Sequence, residues 1–279
     1  MATPAYALVA SLIWAFSPIY YRGFLAKFDV LSFNLLRTSA AAAVLGVPAL
    51  FFWNPAGLGL ALVAGVITLT CGDSLFLLSI RETGASVAAP VVYVYVLMVQ
   101  VASVALGQVV PYSNLIAAFM VLAGIFSLSR GGDGKPRAKG IALATSAAVF
   151  WTVGQEMLQA ATNAGGNFVA VTFARNAAAA VALGAAFIAT RRYRVWPSGL
   201  SPRNYGFILA FMLSDLVLGS ALFVYSISTT GVALTVILTS LSPLLTQIFS
   251  KALGKESPSP LDFAGGVLIV GALVIAVAF

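Results

Sequence analysis

Ten apolar runs, each about as long as a membrane-spanning helix, follow one another along the chain with short polar breaks between them. A helix needs roughly 20 mostly apolar residues to cross the hydrocarbon core of a bilayer. Only 8% of the residues are charged, whereas a soluble domain carries about 25% because its surface faces water. The sequence therefore predicts an all-α integral membrane protein with ten transmembrane helices. The predicted spans are 3–21, 31–52, 58–80, 86–106, 112–130, 140–161, 168–190, 205–227, 232–250 and 261–279.

The basic residues fall almost entirely in alternate loops. Of the 15 lysines and arginines, all except Arg37 and Arg175 lie in the loops that connect spans 1–2, 3–4, 5–6, 7–8 and 9–10. Lysine and arginine are enriched in cytoplasmic loops. These five loops are therefore predicted to be cytoplasmic, and both termini are predicted to lie outside. The predicted location is the cell (inner or plasma) membrane. The basic residues of these loops explain the net charge of +7, so a nucleic-acid partner is not predicted. The lipid bilayer is the expected partner.

Residue types that build most catalytic and metal sites are scarce. The chain has no histidine and one cysteine, Cys71, and histidine is both the commonest metal ligand and a frequent general base. A serine–lysine pair is excluded within the membrane because no lysine lies in a predicted span. Nor is there a nucleotide-binding motif. The sequence thus predicts a protein that is not an enzyme, with no catalytic residue, metal site or cofactor.

An internal repeat relates the third predicted span to the eighth. At a shift of 147 residues, seven of thirteen positions from Gly72 to Gly84 are identical to those from Gly219 to Gly231. Near a shift of 138, Arg37 aligns with Arg175, and each is followed by small residues. Trp14 and Trp151 correspond within one gap. Shared apolar composition explains the alanines, but not the register of glycine, serine and threonine in the first match.

The repeat predicts two halves of opposite orientation. Each half contains five spans, so the second half must be inverted in the membrane relative to the first. Inverted repeats are typical of transporters in which two equivalent halves alternate around a midplane site. We predict a first repeat at 1–130, a cytoplasmic linker at 131–139 and a second repeat at 140–279.

The chain resembles the drug/metabolite transporter superfamily, specifically ten-span exporters with two EamA-type halves. The resemblance rests on Thr239–Leu245, with its central Pro243, and on the Leu-Gly-Lys-Glu turn at 253–256. The first half has Pro90 and a Leu-Gly-Gln turn, in which Gln108 replaces the acidic residue. The resemblance implies secondary transport of amino acids, other metabolites, sugar-phosphate compounds or drugs. Many relatives place both termini in the cytoplasm, whereas the basic residues of this chain predict the reverse.

Five ionisable residues lie well inside predicted spans, away from their ends: Arg37, Asp73, Glu156, Arg175 and Asp215. Each costs roughly 2.5–3.5 kcal/mol near the middle of a span, so each is expected to face the protein interior and to act in gating or binding. At 1.5 Å per residue, Arg37 and Asp73 lie at similar depth on the cytoplasmic side and are expected to pair. Glu156 and Arg175 are expected to pair on the outer side. The alternative is that the arginines reach the headgroups or only fix helix packing.

Asp215 falls near the middle of span 8 without an obvious neighbour and is predicted to bind protons or solute. Tyrosine and tryptophan deep in a span can line a solute cavity or simply pack. The candidate cavity residues of this type are Trp14, Tyr93, Tyr95, Trp151 and Tyr225. Proline within a span frees a backbone carbonyl group and can create a hinge. The candidate hinges are Pro18, Pro90 and Pro243.

The function predicted from these features is secondary transport of a small-molecule solute by alternating access around a midplane cavity, with protons as the candidate coupling ion. The alternative is a structural or accessory subunit of a membrane complex without transport activity of its own. The protein is expected to be a monomer or a homodimer.

Overall fold

The structure is a computed structural model that describes residues 3–25, 27–128, 137–190, 201–252 and 260–279. All regular structure in these residues is helical. The helices are α1 (Thr3–Leu25), α2 (Val30–Phe51), α3 (Leu58–Thr83), α4 (Ala85–Val92 and Tyr95–Ala105), α5 (Tyr112–Leu128), α6 (Ala138–Asn163), α7 (Phe168–Ala189), α8 (Pro202–Thr230), α9 (Val232–Thr239 and Ser242–Ala252) and α10 (Pro260–Ala278). Most of the predicted linker 131–139, and the basic loops at 191–200 and 253–259, lie outside the described residues.

Helices that can cross a membrane dominate the described part of the chain. Seven helical stretches are long and apolar enough to do so, and they belong to α2, α3, α4, α6, α7, α8 and α9. Shorter apolar stretches of 10–17 residues occur at Pro4–Ser17, Tyr112–Leu128 and Phe263–Ala278. The chain is therefore a multi-pass membrane protein.

Local sequence explains where several helices begin and end. Asp29 and Asn167 cap the starts of α2 and α7, because their side chains accept hydrogen bonds from the backbone N–H groups of Ser32 and Val169. Gly84 and Gly231 end α3 and α8 with φ angles of 83° and 81°. A residue with a side chain rarely adopts this conformation, so the two glycines of the repeat have the same structural role.

The two halves also share irregular features at the shift of 147 residues. A π-helical segment interrupts α3 at Val66–Gly72, and another interrupts α8 at Ser214–Gly219, so both end at the repeated glycine. The breaks in α4 and α9 follow Val92 and Thr239, which are also 147 residues apart. The sequence match therefore reports a structural repeat that extends beyond the matched residues.

Tryptophan–glycine contacts bring the halves together reciprocally. A Cβ atom on Gly72 would lie 2.5 Å from Cδ1 of Trp151, and one on Gly219 would lie 2.5 Å from Nε1 of Trp14. Each tryptophan thus packs on the π-helical segment of the opposite half, and only glycine permits this approach. Elsewhere α7 crosses α3 closely, because a Cβ on Gly65 would overlap the backbone of Arg175.

Hydrogen bonds between helix ends show which ends share a face of the bundle. Lys139, at the start of α6, donates to Glu82, at the end of α3, with an Nζ–Oε1 distance of 2.7 Å. Asn54, before α3, donates to the backbone carbonyl group of Gly165, before α7, at 2.7 Å. The end of α3 therefore lies beside the start of α6, and the start of α3 beside the start of α7.

Two of the three candidate hinge prolines lie beside a helix break. Pro90 lies three residues before the break in α4, and Pro243 is the second residue after the break in α9. The carbonyl group of Thr239, which cannot bond to Pro243, accepts hydrogen bonds from the hydroxyl groups of Ser11 and Ser242 at 3.3 and 2.9 Å. Pro18 lies within α1, and its side chain is outside the described part of the structure.

Candidate functional site

Arg37 joins carboxylates from both halves of the chain. Its Nη2 atom lies 3.3 Å from Oδ2 of Asp73 and 3.0 Å from Oδ2 of Asp215. The pairing of Arg37 with Asp73, expected from their depths, is present. The expectation that Asp215 has no neighbour is wrong, because α2 and α8 contact each other and bring Asp215 to the same guanidinium group.

Aromatic side chains surround this ion cluster. Tyr21 donates a short hydrogen bond from its hydroxyl group to Oδ2 of Asp215. Its ring and that of Phe33 lie 5.1 and 5.9 Å from the guanidinium carbon of Arg37, within the range of cation–π attraction. Trp151 donates from Nε1 to Oδ1 of Asp73 at 3.0 Å. Each carboxylate therefore accepts a hydrogen bond from the charged guanidinium group of Arg37 and another from a neutral aromatic side chain.

The π-helical segments place the two carboxylates. Asp73 directly follows the segment in α3, and Asp215 lies within the segment in α8. The wider turn requires backbone bonds from residue i to i−5, as between the N–H of Asp73 and the carbonyl group of Thr68. Asn34 of α2 donates to the carbonyl group of Leu69 at 2.6 Å. A side chain from α2 thus satisfies a backbone acceptor in the irregular turn.

The charged side chains of this cluster are buried. The side chains of Arg37, Asp73 and Asp215 are only 6%, 14% and 8% exposed, and together they carry one positive and two negative formal charges. Arg175 also interacts electrostatically with both carboxylates, so the two arginines and two aspartates balance one another. Burial of charge in a membrane protein is costly and marks candidate functional positions.

Arg175 occupies a second buried site with a different character. Its Nη1 lies 3.2 Å from Oγ of Ser220, and its Nη2 lies 3.2 Å from Oγ1 of Thr68. The Nε atom is buried without a hydrogen-bond partner. Among the described residues, no carboxylate lies within ion-pair distance of Arg175.

The predicted pair of Arg175 with Glu156 is not formed. Glu156 instead accepts hydrogen bonds from Oγ of Ser103, at 2.6 Å, and from Nε2 of Gln108, at 2.7 Å. Both donors belong to α4 and the residues after it, whereas Arg175 faces α3 and α8. Similar depth in the membrane does not bring two side chains together when they leave their helices in different directions.

The repeat relates the two arginine sites residue by residue. A shift of 147 residues carries Asp73 onto Ser220 and Thr68 onto Asp215. Each arginine therefore contacts one side chain of its own half and one of the other half, at equivalent positions. Sequence reasoning missed Thr68 and Ser220, although applying the shift to the expected partner of Arg37 would have found Ser220.

The candidate cavity aromatics fall into separate groups. Trp151 packs against Tyr95 and Phe76, with ring centroids 5.4 and 5.2 Å apart, and Tyr93 lies beside Tyr95. These aromatic side chains therefore form a row that runs from Asp73 toward α4. Trp14 donates to the backbone carbonyl group of Asp215 at 3.2 Å, on the equivalent side of α8.

Tyr225 belongs to a different part of the bundle. Its ring contacts those of Tyr6, near the start of α1, and Phe168, at the start of α7, at centroid distances of 4.6 and 5.0 Å. The structure thus places Tyr225 with helix ends rather than with the arginine clusters. Tyr21, which contacts Asp215, was not predicted from the sequence. Nothing in the sequence marks it except its position in an apolar run.

Comparisons with known proteins agree with this architecture. The model of the EamA-like transporter family matches residues 2–130 and 138–278. A protein of known crystal structure shares the fold with a TM-score of 0.84 and 19% sequence identity. The alignment covers 99% of this chain and 98% of the other. No curated protein sequence matches the chain significantly.

Proposed function

Because the chain belongs to the EamA-like transporter family, we propose that it is a secondary transporter of small organic solutes, such as amino acids, related metabolites or drugs. The observation that carries this proposal is the bridge from Arg37 to Asp73 and Asp215. A buried ion cluster between two repeated halves is a contact that a conformational exchange of the halves would make and break.

The proposed architecture is a 5+5 inverted repeat of ten transmembrane helices, with loops 1–2, 3–4, 5–6, 7–8 and 9–10 in the cytoplasm. Matched π-helical segments, matched breaks in α4 and α9 and matched glycine turns support this arrangement. Two inverted halves of equivalent shape can exchange conformations, which opens the centre first to one side and then to the other.

The solute site is proposed to lie between the π-helical segments, where Trp151, Tyr95 and Trp14 flank the ion cluster. Aromatic rings provide apolar contact area, while the indole N–H groups hold Asp73 and the backbone carbonyl group of Asp215 in place. The site therefore combines apolar surface with charged groups of both signs, as expected for organic solutes that carry a charge.

Proton coupling is proposed to act through Asp215. Arg37 faces two carboxylates, so Asp215 can take up a proton while Asp73 keeps its ion pair with the guanidinium group. Protonation of Asp215 would replace its ion pair with Arg37 by a weaker neutral hydrogen bond and loosen the contact between the halves. Release of the proton restores the contact, which links the conformational cycle to the proton gradient.

Flux into liposomes tests this proposal. The purified protein should catalyse solute uptake that responds to an imposed pH gradient. Asp215→Asn should abolish gradient-driven accumulation but retain solute exchange, because the amide keeps the shape of the side chain and loses its proton. Glu82→Gln, at the end of α3, is the matched control and should leave accumulation intact. Accumulation by Asp215→Asn equal to that of the unmodified protein at every pH would contradict the coupling role.

A further inference from the structure

The two arginine sites differ in the charge of the groups that hydrogen-bond to the guanidinium. Arg37 meets two carboxylates, whereas Arg175 meets two hydroxyl groups at the equivalent positions. Both arginines are buried, at 5% and 4% exposure. The repeat thus supplies an internal reference for what a buried guanidinium in this fold binds: an anionic oxygen from each half.

At the Arg175 site both anionic oxygens are missing. Thr68 and Ser220 are neutral, and Thr68 already donates its hydroxyl proton to the carbonyl group of Ala64 at 2.6 Å. The hydroxyl groups therefore accept hydrogen bonds from Arg175 but bring no negative charge into contact with it. Arg175 does interact electrostatically with Asp73 and Asp215, yet neither carboxylate lies within ion-pair distance of it. The buried Nε of Arg175 has no hydrogen-bond partner, as is also true of Nε of Arg37, and a buried charge is stabilised most by an anion in direct contact.

We propose that Arg175, Thr68 and Ser220 form a binding site for a small monovalent anion, either free in solution or present as the carboxylate of the carried solute. The inference builds on the proposed function, since a solute bound between the halves would present its anionic group here. Arginine suits this role because its planar donors match a carboxylate in bidentate geometry. The anion would take the place that Asp73 and Asp215 occupy at Arg37.

The site has a chemical partner in the Arg37 cluster. Arg175 with two hydroxyl groups carries a formal charge of +1, while Arg37 with two carboxylates carries −1. Both sites lie against the π-helical segments of α3 and α8. The two centres also interact electrostatically, and their formal charges cancel. A group bound at Arg175 is therefore recognised by its negative charge, and a proton or cationic group at the Arg37 cluster would keep the balance.

Thermal unfolding of the purified full chain tests the site, with tryptophan fluorescence as the signal. Sodium acetate and sodium chloride serve as probes, and sodium sulfate of equal ionic strength controls for general salt effects. A monovalent anion that binds the folded state should raise the unfolding temperature in a saturable manner. Stabilisation by acetate alone identifies a carboxylate site, whereas stabilisation by both probes identifies a site that also takes a free inorganic anion.

Three substitutions provide the decisive comparison. Ser220→Asp should recreate the arrangement at Arg37, place a carboxylate on Arg175 and abolish the anion-dependent shift. Ser228→Asp, which adds a carboxylate at an exposed position of α8, is the matched control and should retain the shift. Arg175→Met should weaken apparent anion affinity about tenfold or more, since charge-assisted hydrogen bonds are lost.

Two outcomes overturn the inference: no shift specific to monovalent anions in the unmodified protein, or a shift that persists unchanged in both Ser220→Asp and Arg175→Met. Failure of the transport proposal is distinguishable from either. Anion-dependent stabilisation without solute flux in liposomes supports the site and contradicts transport. Flux without such stabilisation contradicts the site and supports transport.

Discussion

Replacing each arginine in turn should affect stability very differently, although the two residues are matched by the repeat and almost equally buried. Arg37→Met leaves Asp73 and Asp215 facing each other without a cation. Removing one partner from a buried ion pair costs about 3–5 kcal/mol, because the remaining charge stays buried. Arg175→Met removes a buried charge together with two hydrogen bonds to hydroxyl groups, so the two effects oppose each other and we expect a loss of about 1 kcal/mol.

The expected difference of about 2–4 kcal/mol corresponds to roughly 30-fold or more in the unfolding equilibrium. Reversible unfolding in mixed micelles, followed by tryptophan fluorescence, would measure it. The double variant Arg37→Met/Asp215→Asn should be more stable than Arg37→Met alone, because it removes one of the two facing carboxylates; a double-mutant cycle gives the coupling. Equal losses for the two arginines, or a double variant no more stable than the single one, would refute the charge argument.

Two further predictions concern topology and packing. Cysteine introduced at Ala164 in a Cys71→Ala background should react with an impermeant thiol reagent applied to intact cells. Cysteine at Lys139 should react only after the cells are permeabilised. The opposite pattern would reverse the proposed orientation. Gly72→Ala should lower the free energy of unfolding by about 1–3 kcal/mol, because the added methyl group overpacks against Trp151. Gly59→Ala is the control and should not destabilise the protein, since a Cβ there meets nothing within 4 Å. A tolerated Gly72→Ala would show that Trp151 can move aside.

The sequence predicted the helical membrane fold because span length, charge and repeat register are all local signals. It also predicted the pair of Arg37 with Asp73, since both depth and direction are favourable there. Depth alone misplaced Glu156, because the position of a residue along a helix does not determine the direction in which its side chain points. The side chains of Ser103 and Gln108 reach it instead.

The contact of Asp215 with Arg37 could not be predicted from depth or hydropathy. It depends on the crossing of α2 with α8 and on the π-helical segment that carries Asp215, and neither leaves a mark in an apolar run of residues. The repeat contained information about the other arginine instead. The shift that aligns Gly72 with Gly219 also aligns Asp73 with Ser220, and so relates the partners of the two arginines.

The π-helical segment at Val66–Gly72 has a consequence for how the chain tolerates changes in length. Deleting one residue from an ordinary helix rotates everything beyond it by about 100°. Within a π-helical turn, the same deletion can be absorbed by a return to regular α-helix, so α3 should remain continuous. Asp73, which directly follows the segment, would then keep its direction toward Arg37. A shortened chain could therefore insert and fold with the ion bridge intact, whereas the same deletion in a regular part of the helix before Asp73 would displace the carboxylate.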